Sequence, residues 1–145
     1  MADLTMVFFE CFPEDLAEKV HNLGSDALTI ALSNVAPTAA TDDELVDITQ
    51  IAAGYGYTTG GEALTVTSST QTSGEYNLII TSNIVWTATG GDIAAKRYIV
   101  LYNNTAANDE LICYWDIGAS AVISEGDTYT ANLAGVTLFN FDPPA

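Results

Sequence analysis

Two short apolar runs, Tyr98-Ile99-Val100-Leu101-Tyr102 and Leu111-Ile112-Cys113-Tyr114-Trp115, constrain this chain more than any other part of it. Both consist of aliphatic and aromatic residues without a helical period, and the polar stretch Asn103 to Glu110 joins them. The segment Lys96 to Gly118 therefore reads as a β-hairpin. A strand apolar on both faces needs cover on both sides. These two arms are expected in the middle of a sheet, against a second layer or a partner subunit.

The rest of the chain reads as that cover. Met6, Val7, Phe8, Phe9 and Phe12 crowd ahead of Pro13. Residues 1–12 are read as an N-terminal apolar arm, either an edge strand or a segment packed on something else, and residues 13–145 as a single domain. Pro13, Glu14 and Asp15 suit the first turn of a helix, Leu16, Val20 and Leu23 mark one face, and Gly24 closes it. Ala27 to Leu32 reads as a half-buried strand. Leu45 to Ile51 fits a helical turn and a strand equally well. The glycines and tyrosines from Ala53 to Gly61 form a loop. Strands are then expected at Leu64–Thr67, Tyr76–Ile80, Ile84–Ala88, Ala121–Ile123, Tyr129–Leu133 and Val136–Phe139, with a turn at Thr72-Ser73-Gly74. This spacing, about ten residues, belongs to sandwiches and jelly rolls, and nothing alternates strand with helix. The fold class expected is all-β, a jelly-roll-like β-sandwich with one short N-terminal α-helix.

Size and charge narrow the function. A chain of 145 residues fits one domain, able to bury roughly 70% of the surface its unfolded form exposes. Nineteen acidic residues against Lys19, Lys96 and Arg97 leave a formal net charge of −16. Binding a phosphate backbone or an anionic bilayer takes clustered cations, so neither nucleic acid nor membrane is expected as a partner. No stretch approaches the length of a transmembrane span. The first twelve residues lack a basic region and Glu10 breaks their apolar run, so no secretory signal is expected. Cys11 and Cys113 are then expected to be reduced, and the sequon Asn103-Asn104-Thr105 carries no weight.

Candidate chemistry is sparse. His21 is the sole histidine; a triad or zinc site would need partners the sequence lacks, so it reads as a residue packed at a helix end. Asp42, Asp43, Glu44 and Asp47 could hold calcium, but match no EF-hand spacing and read more simply as a solvated acidic loop. Gly118-Ala119-Ser120-Ala121 lacks the closing glycine of a nucleophile elbow. Cys113 sits in an apolar run and reads as an inert buried thiol. Trp86, Trp115 and the tyrosines could stack on a sugar, although aromatics in a sandwich of this size more often fill the core. No motif points to catalysis, a cofactor or a bound metal, and the chain is not expected to be an enzyme.

Several phrases occur together in order: Ala17-Glu18-Lys19-Val20-His21-Asn22-Leu23-Gly24-Ser25-Asp26, Ile51-Ala52-Ala53-Gly54-Tyr55-Gly56-Tyr57, Arg97-Tyr98 with Leu101-Tyr102-Asn103-Asn104-Thr105, and Leu111-Ile112-Cys113-Tyr114-Trp115-Asp116. From about Leu16 to Leu138 the chain resembles a family of small proteins of tailed bacteriophages and prophages, encoded beside the major capsid gene. Some of these are capsid decoration, or cement, proteins. The resemblance implies a jelly-roll sandwich that sits as a homotrimer on the outside of an icosahedral head. There it would clamp the major capsid protein, after assembly in the host cytoplasm. The chain departs from the family in having Ala94-Ala95-Lys96 before Arg97-Tyr98, and the ending Phe139 to Ala145 looks like an extension. A tail or fibre module that binds a host glycan is the alternative.

On this reading the subunit or capsid contacts are expected from Met6, Val7, Phe8, Phe9 and Phe12 of the arm, and from Lys96 and Arg97. Adjacent strand residues point to opposite faces. Arg97, with its planar fork, is assigned to a carboxylate pair within the subunit and Lys96 to the outward contact.

Overall fold

The computed structural model describes residues 4–80 and 83–133, together with the backbone of residues 136–141. It is an all-β protein of several antiparallel sheets with one short helix. The largest sheet has five strands: β1 (Thr5–Phe8), β2 (Leu28–Ser33), β3 (Glu62–Ala63), β7 (Ile93–Asn103) and β8 (Leu111–Ile123), in the order β1-β8-β7-β2-β3. β4 (Val66–Thr72), β5 (Glu75–Ile80) and β10 (Val136–Phe141) form a second, β6 (Ile84–Thr87) and β9 (Thr128–Ala131) a third. β7 lies at the centre of the main sheet with β8 beside it, as the two apolar runs require. β8 also runs on through Ala121–Ile123, which the sequence pattern set apart as a separate strand.

Both faces of β7 are covered. Ile99 and Leu101 face the main core, together with Leu28, Ile30 and Leu32 of β2 and with Leu78, Ile80 and Trp86 of the smaller sheets. Val100 and Tyr102 face the other way, onto Phe9, Ala31, Ile48 and Leu111. The same cover explains why β2 is buried along its whole length rather than on one face. Its polar Ser33 is satisfied there, donating through Oγ to Thr49 O (2.7 Å).

Where β7 meets β8, Leu101 pairs with Cys113 and Tyr102 with Leu111, leaving Ile112 as an extra residue. This β-bulge turns two successive side chains, Ile112 and Cys113, into the main core. The carbonyl of Ile112 accepts from Phe9 N–H at 3.1 Å, which ties the end of β1 to the bulge.

The helix α1 (Phe12–Ala17) is shorter than the sequence pattern implies. It ends in a Schellman turn: Val20 N–H donates to Asp15 O (2.8 Å), Lys19 N–H to Leu16 O (3.4 Å), and Lys19 takes φ +67°. Such a position is usually glycine, so the stop is hidden from sequence reading. Leu45 to Ile51 resolves as a 3₁₀ turn at Leu45–Asp47 followed by extended chain.

The glycine loop lies on β2. Tyr57 OH donates to Gln50 Oε1 (3.0 Å) and accepts from Leu32 N–H (3.0 Å), while Gln50 Oε1 also accepts from Gly60 N–H (2.7 Å). Gly61, at φ +78°, passes so close to Ile30 O that a Cβ there would collide with backbone. The β4–β5 turn has Ser73 and Gly74 both at positive φ, the geometry of a two-residue hairpin.

Candidate functional site

The expected contact residues do not form one surface. β1 pairs with β8 through Thr5–Asp116, Met6–Trp115, Val7–Tyr114 and Phe8–Cys113. Met6, Val7 and Phe8 are half-buried on this edge strand, whereas Phe9 and Phe12 lie fully inside the chain. Of the two readings of this segment, residues 5–8 follow the edge strand, and Phe9 and Phe12 continue into the cores of the same chain; residues 1–3 lie outside the described residues. The reason is hydrophobic: Phe12 stacks on Phe8 at 5.3 Å and Phe9 caps the second core. Phe9 and Phe12 are therefore unavailable to another subunit.

Lys96 and Arg97 depart from expectation in one respect. Arg97 makes the carboxylate pair: Nε and Nη2 reach Asp116 Oδ1 and Oδ2 at 2.9 and 3.0 Å. Asp116 Oδ1 also accepts from Gly118 N–H (2.8 Å). These hydrogen bonds, Arg97 first, hold the Asp116 carboxyl below its ordinary range, and the carboxylate in turn raises the guanidinium. Lys96, by contrast, is not the outward residue. It is only 4% exposed, between two register shifts of β7 on β8, with Nζ 3.9 Å from the centroid of the Tyr129 ring. Tyr129 stacks on Trp86 (6.2 Å, 19°). Burial pushes the Lys96 ammonium down from its usual range, and among the described residues no carboxylate pairs with it. The bulges turn this side chain inward, and the aromatic face replaces part of its hydration.

The best-defined polar cluster lies instead where β7 ends. Asn103 is fully buried. Its Nδ2 donates to Asp26 Oδ2 (2.6 Å) and to His21 Nδ1 (3.1 Å), and its Oδ1 accepts from Thr105 N–H (2.9 Å) and Ala106 N–H (3.3 Å). Thr105 Oγ1 in turn accepts from Ala27 N–H at 2.8 Å. The sequon is thus an internal joint, which gives a physical reason to discount it for glycosylation. His21 has a side chain with no exposure, packs against Phe12 at 5.4 Å, and has Nε2 4.0 Å from Asp15 Oδ2. Burial lowers its pKa against the opposing pull of Asp15, Glu110 and Asp26. Burial likewise raises the Asp15 carboxyl.

Beside this cluster an open cleft of about 500 Å³ runs between the segment after α1 and the β4–β5 hairpin. Leu16, Lys19, His21, Leu23, Ser69 and Tyr76 are among its walls. Ser69 Oγ and Tyr76 OH lie 2.9 Å apart in a hydrogen bond. The sequence singled out His21 only as a packing residue; that Lys19 and Tyr76 share a wall with it depends on the Schellman turn and on β4–β5 docking, which no local pattern reports.

The other candidates are accounted for locally. In the acidic loop, Asp42 Oδ2 accepts from Thr38 N–H (2.7 Å) and Asp47 Oδ2 from Asp43 and Glu44 N–H (3.0 and 3.2 Å). Among the described residues no group of acidic, histidine and cysteine side chains has the geometry to hold a metal ion. Cys113 is buried and free, as is the partly buried Cys11. Burial, with Asp15 and Asp43 adding to it, raises the Cys11 thiol to about 12. Trp86 and Trp115 are 1% and 5% exposed, which removes both from any stacking platform. Among the described residues no helix is long and apolar enough to cross a membrane. No family model, no curated protein and no solved structure matches this chain.

Proposed function

We propose that this protein is a capsid decoration protein of a tailed bacteriophage or prophage, a jelly-roll-type sandwich that binds the outside of the icosahedral head as a trimer and braces the major capsid protein. The observation that carries the reading is where the resembling phrases fall. His21 and Asp26, Tyr57, Arg97, Asn103 with Thr105, and Asp116 all lie within them, and these residues make the joints between distant elements: His21–Asn103–Asp26, Tyr57–Gln50–Leu32 and Arg97–Asp116. A resemblance concentrated in side chains that lock a fold is what shared architecture would leave behind. The all-β build and a charge of −16, which keeps a high-copy protein from casual association, agree with it.

The glycan-binding alternative loses support from the aromatics, since both tryptophans and Tyr57 are inside and only Tyr55 of the glycine loop is strongly exposed. Heads purified with and without the protein decide the matter. Decoration predicts regular extra density on the head exterior, restored by adding purified protein to bare heads. Protein recovered on tails, or failing to bind bare heads, overturns the reading.

A further inference from the structure

We infer that the cleft between the segment after α1 and the β4–β5 hairpin is a binding site for a small monocarboxylate with an apolar tail. This assignment is independent of the capsid reading and goes beyond it.

Charge comes first. Of the three cations in the chain, Lys96 is buried and Arg97 is paired with Asp116. Lys19 is exposed, and among the described residues no carboxylate pairs with it. On a molecule of net charge −16, the cleft wall is thus the place where an approaching carboxylate meets an uncompensated ammonium. Lys19 is held there by backbone geometry, at φ +67°, a conformation that costs a side-chain-bearing residue free energy and recurs at functional positions.

Hydrogen-bonding capacity adds to charge. The hydroxyls of Ser69 and Tyr76 meet on the cleft wall, and a hydroxyl can rotate its hydrogen toward a new acceptor. His21 lines the cleft, but its side chain is fully buried and supplies no donor to it. Its Nδ1 faces an Asn103 amide nitrogen that is fixed as donor, because Asn103 Oδ1 accepts two backbone N–H groups. The neutral ring must therefore carry its hydrogen on Nε2. That buried atom has no hydrogen-bond partner, since Asp15 Oδ2 stands off at 4.0 Å.

Shape selects the rest of the ligand. The remaining wall is apolar, formed by Leu16, Leu23 and the Tyr76 ring, and about 500 Å³ lies within the range of small-molecule sites. Cation and donors together select an anionic head with acceptor oxygens. The apolar wall selects a hydrocarbon tail.

The test is titration of the full chain with sodium octanoate, followed by calorimetry and by the NMR shifts of His21, Leu23 and Tyr76. Octanamide, equal in shape and neutral, serves as the control. Saturable binding is expected, with shifts confined to the cleft and octanamide about fivefold weaker, the upper end for one exposed ion pair. Lys19→Gly should lose about the same factor while folding at least as well as the parent, since glycine adopts positive φ without strain. Ser69→Phe, which fills the cleft, should abolish binding, with circular dichroism confirming its fold. The assignment is overturned if octanoate produces no saturable shift at these residues, if octanamide binds equally, or if Lys19→Gly binds as the parent does.

Discussion

The side-chain amide of Asn103 holds His21 in a single neutral tautomer, with Nδ2 donating to Nδ1 at 3.1 Å. Protonating the ring would set an N–H against an N–H at that contact, inside a site that already disfavours charge by burial.

This contact sets a pH dependence. The folded-state pKa of His21 lies below the ordinary value of 6.5. Between the two values the unfolded chain binds a proton that the folded chain refuses, so the contribution is fully present above pH 6.5 and is lost as pH falls toward the folded value. Asp15 works the other way in acid, because its raised pKa favours the protonated folded form just above 3.8. The groups facing the ring are Asp15, Asp26 and Glu110, and His21 is the sole group among them whose ordinary pKa lies near neutrality. Melting temperature should therefore fall as pH is lowered from about 7 to 5, and His21→Gln should flatten that fall. Equal slopes in parent and variant would refute the tautomer assignment.

Lys96 is the clearest case of a charge the fold tolerates at a cost. Its ammonium is nearly buried and gains a cation–π contact with Tyr129, worth about 2 kcal/mol when desolvated. Against this stands a desolvation penalty of several kcal/mol for an ion in the interior. Lys96→Met keeps the length and the packing on the ring and removes the penalty. It should raise stability by about 1 kcal/mol at neutral pH. The gain should shrink as pH rises toward 10.5, because the depressed folded pKa makes the parent more stable once Lys96 is deprotonated. Chemical denaturation at about pH 7 and pH 10 measures both; a variant less stable at neutral pH would mean that the ring outweighs desolvation.

How much of this was legible beforehand depends on the range of the interaction. The central position of β7 and β8 follows from two apolar runs with no polar alternation, and the β4–β5 turn from Ser73-Gly74, since both signals are local. The helix end was not legible, because Lys19 occupies a left-handed position where glycine is the usual marker. Nor was the inward turn of Lys96, which follows from the register shifts on either side of its pairing with Ala121. Asn103 looked like part of a modification sequon, although its side chain unites His21, Asp26 and the turn at Thr105. The candidate cleft was invisible for the same reason: its walls come from the segment after α1 and from β4 and β5.

The N-terminal segment separates folding from assembly. Residues 5–8 cover the edge of β8, and Phe9 and Phe12 fill the two cores, so deleting residues 1–12 should unfold the protein rather than merely weaken association. Phe9→Ala alone should cost about 3–5 kcal/mol, the usual range for emptying a buried phenylalanine site. Val7 is different. It is half-buried and its strand neighbours Met6 and Phe8 pack against the main core, which puts Val7 on the opposite face of the edge strand. Val7→Lys should therefore change stability by less than about 1 kcal/mol. If the edge is a contact with the head or with a second copy, that substitution should lower head occupancy or shift sedimentation while the β-sheet circular dichroism stays unchanged. Unchanged occupancy and sedimentation in Val7→Lys would place the contact elsewhere. A Phe9→Ala protein as stable as the parent would show that the segment is not a core element of the fold.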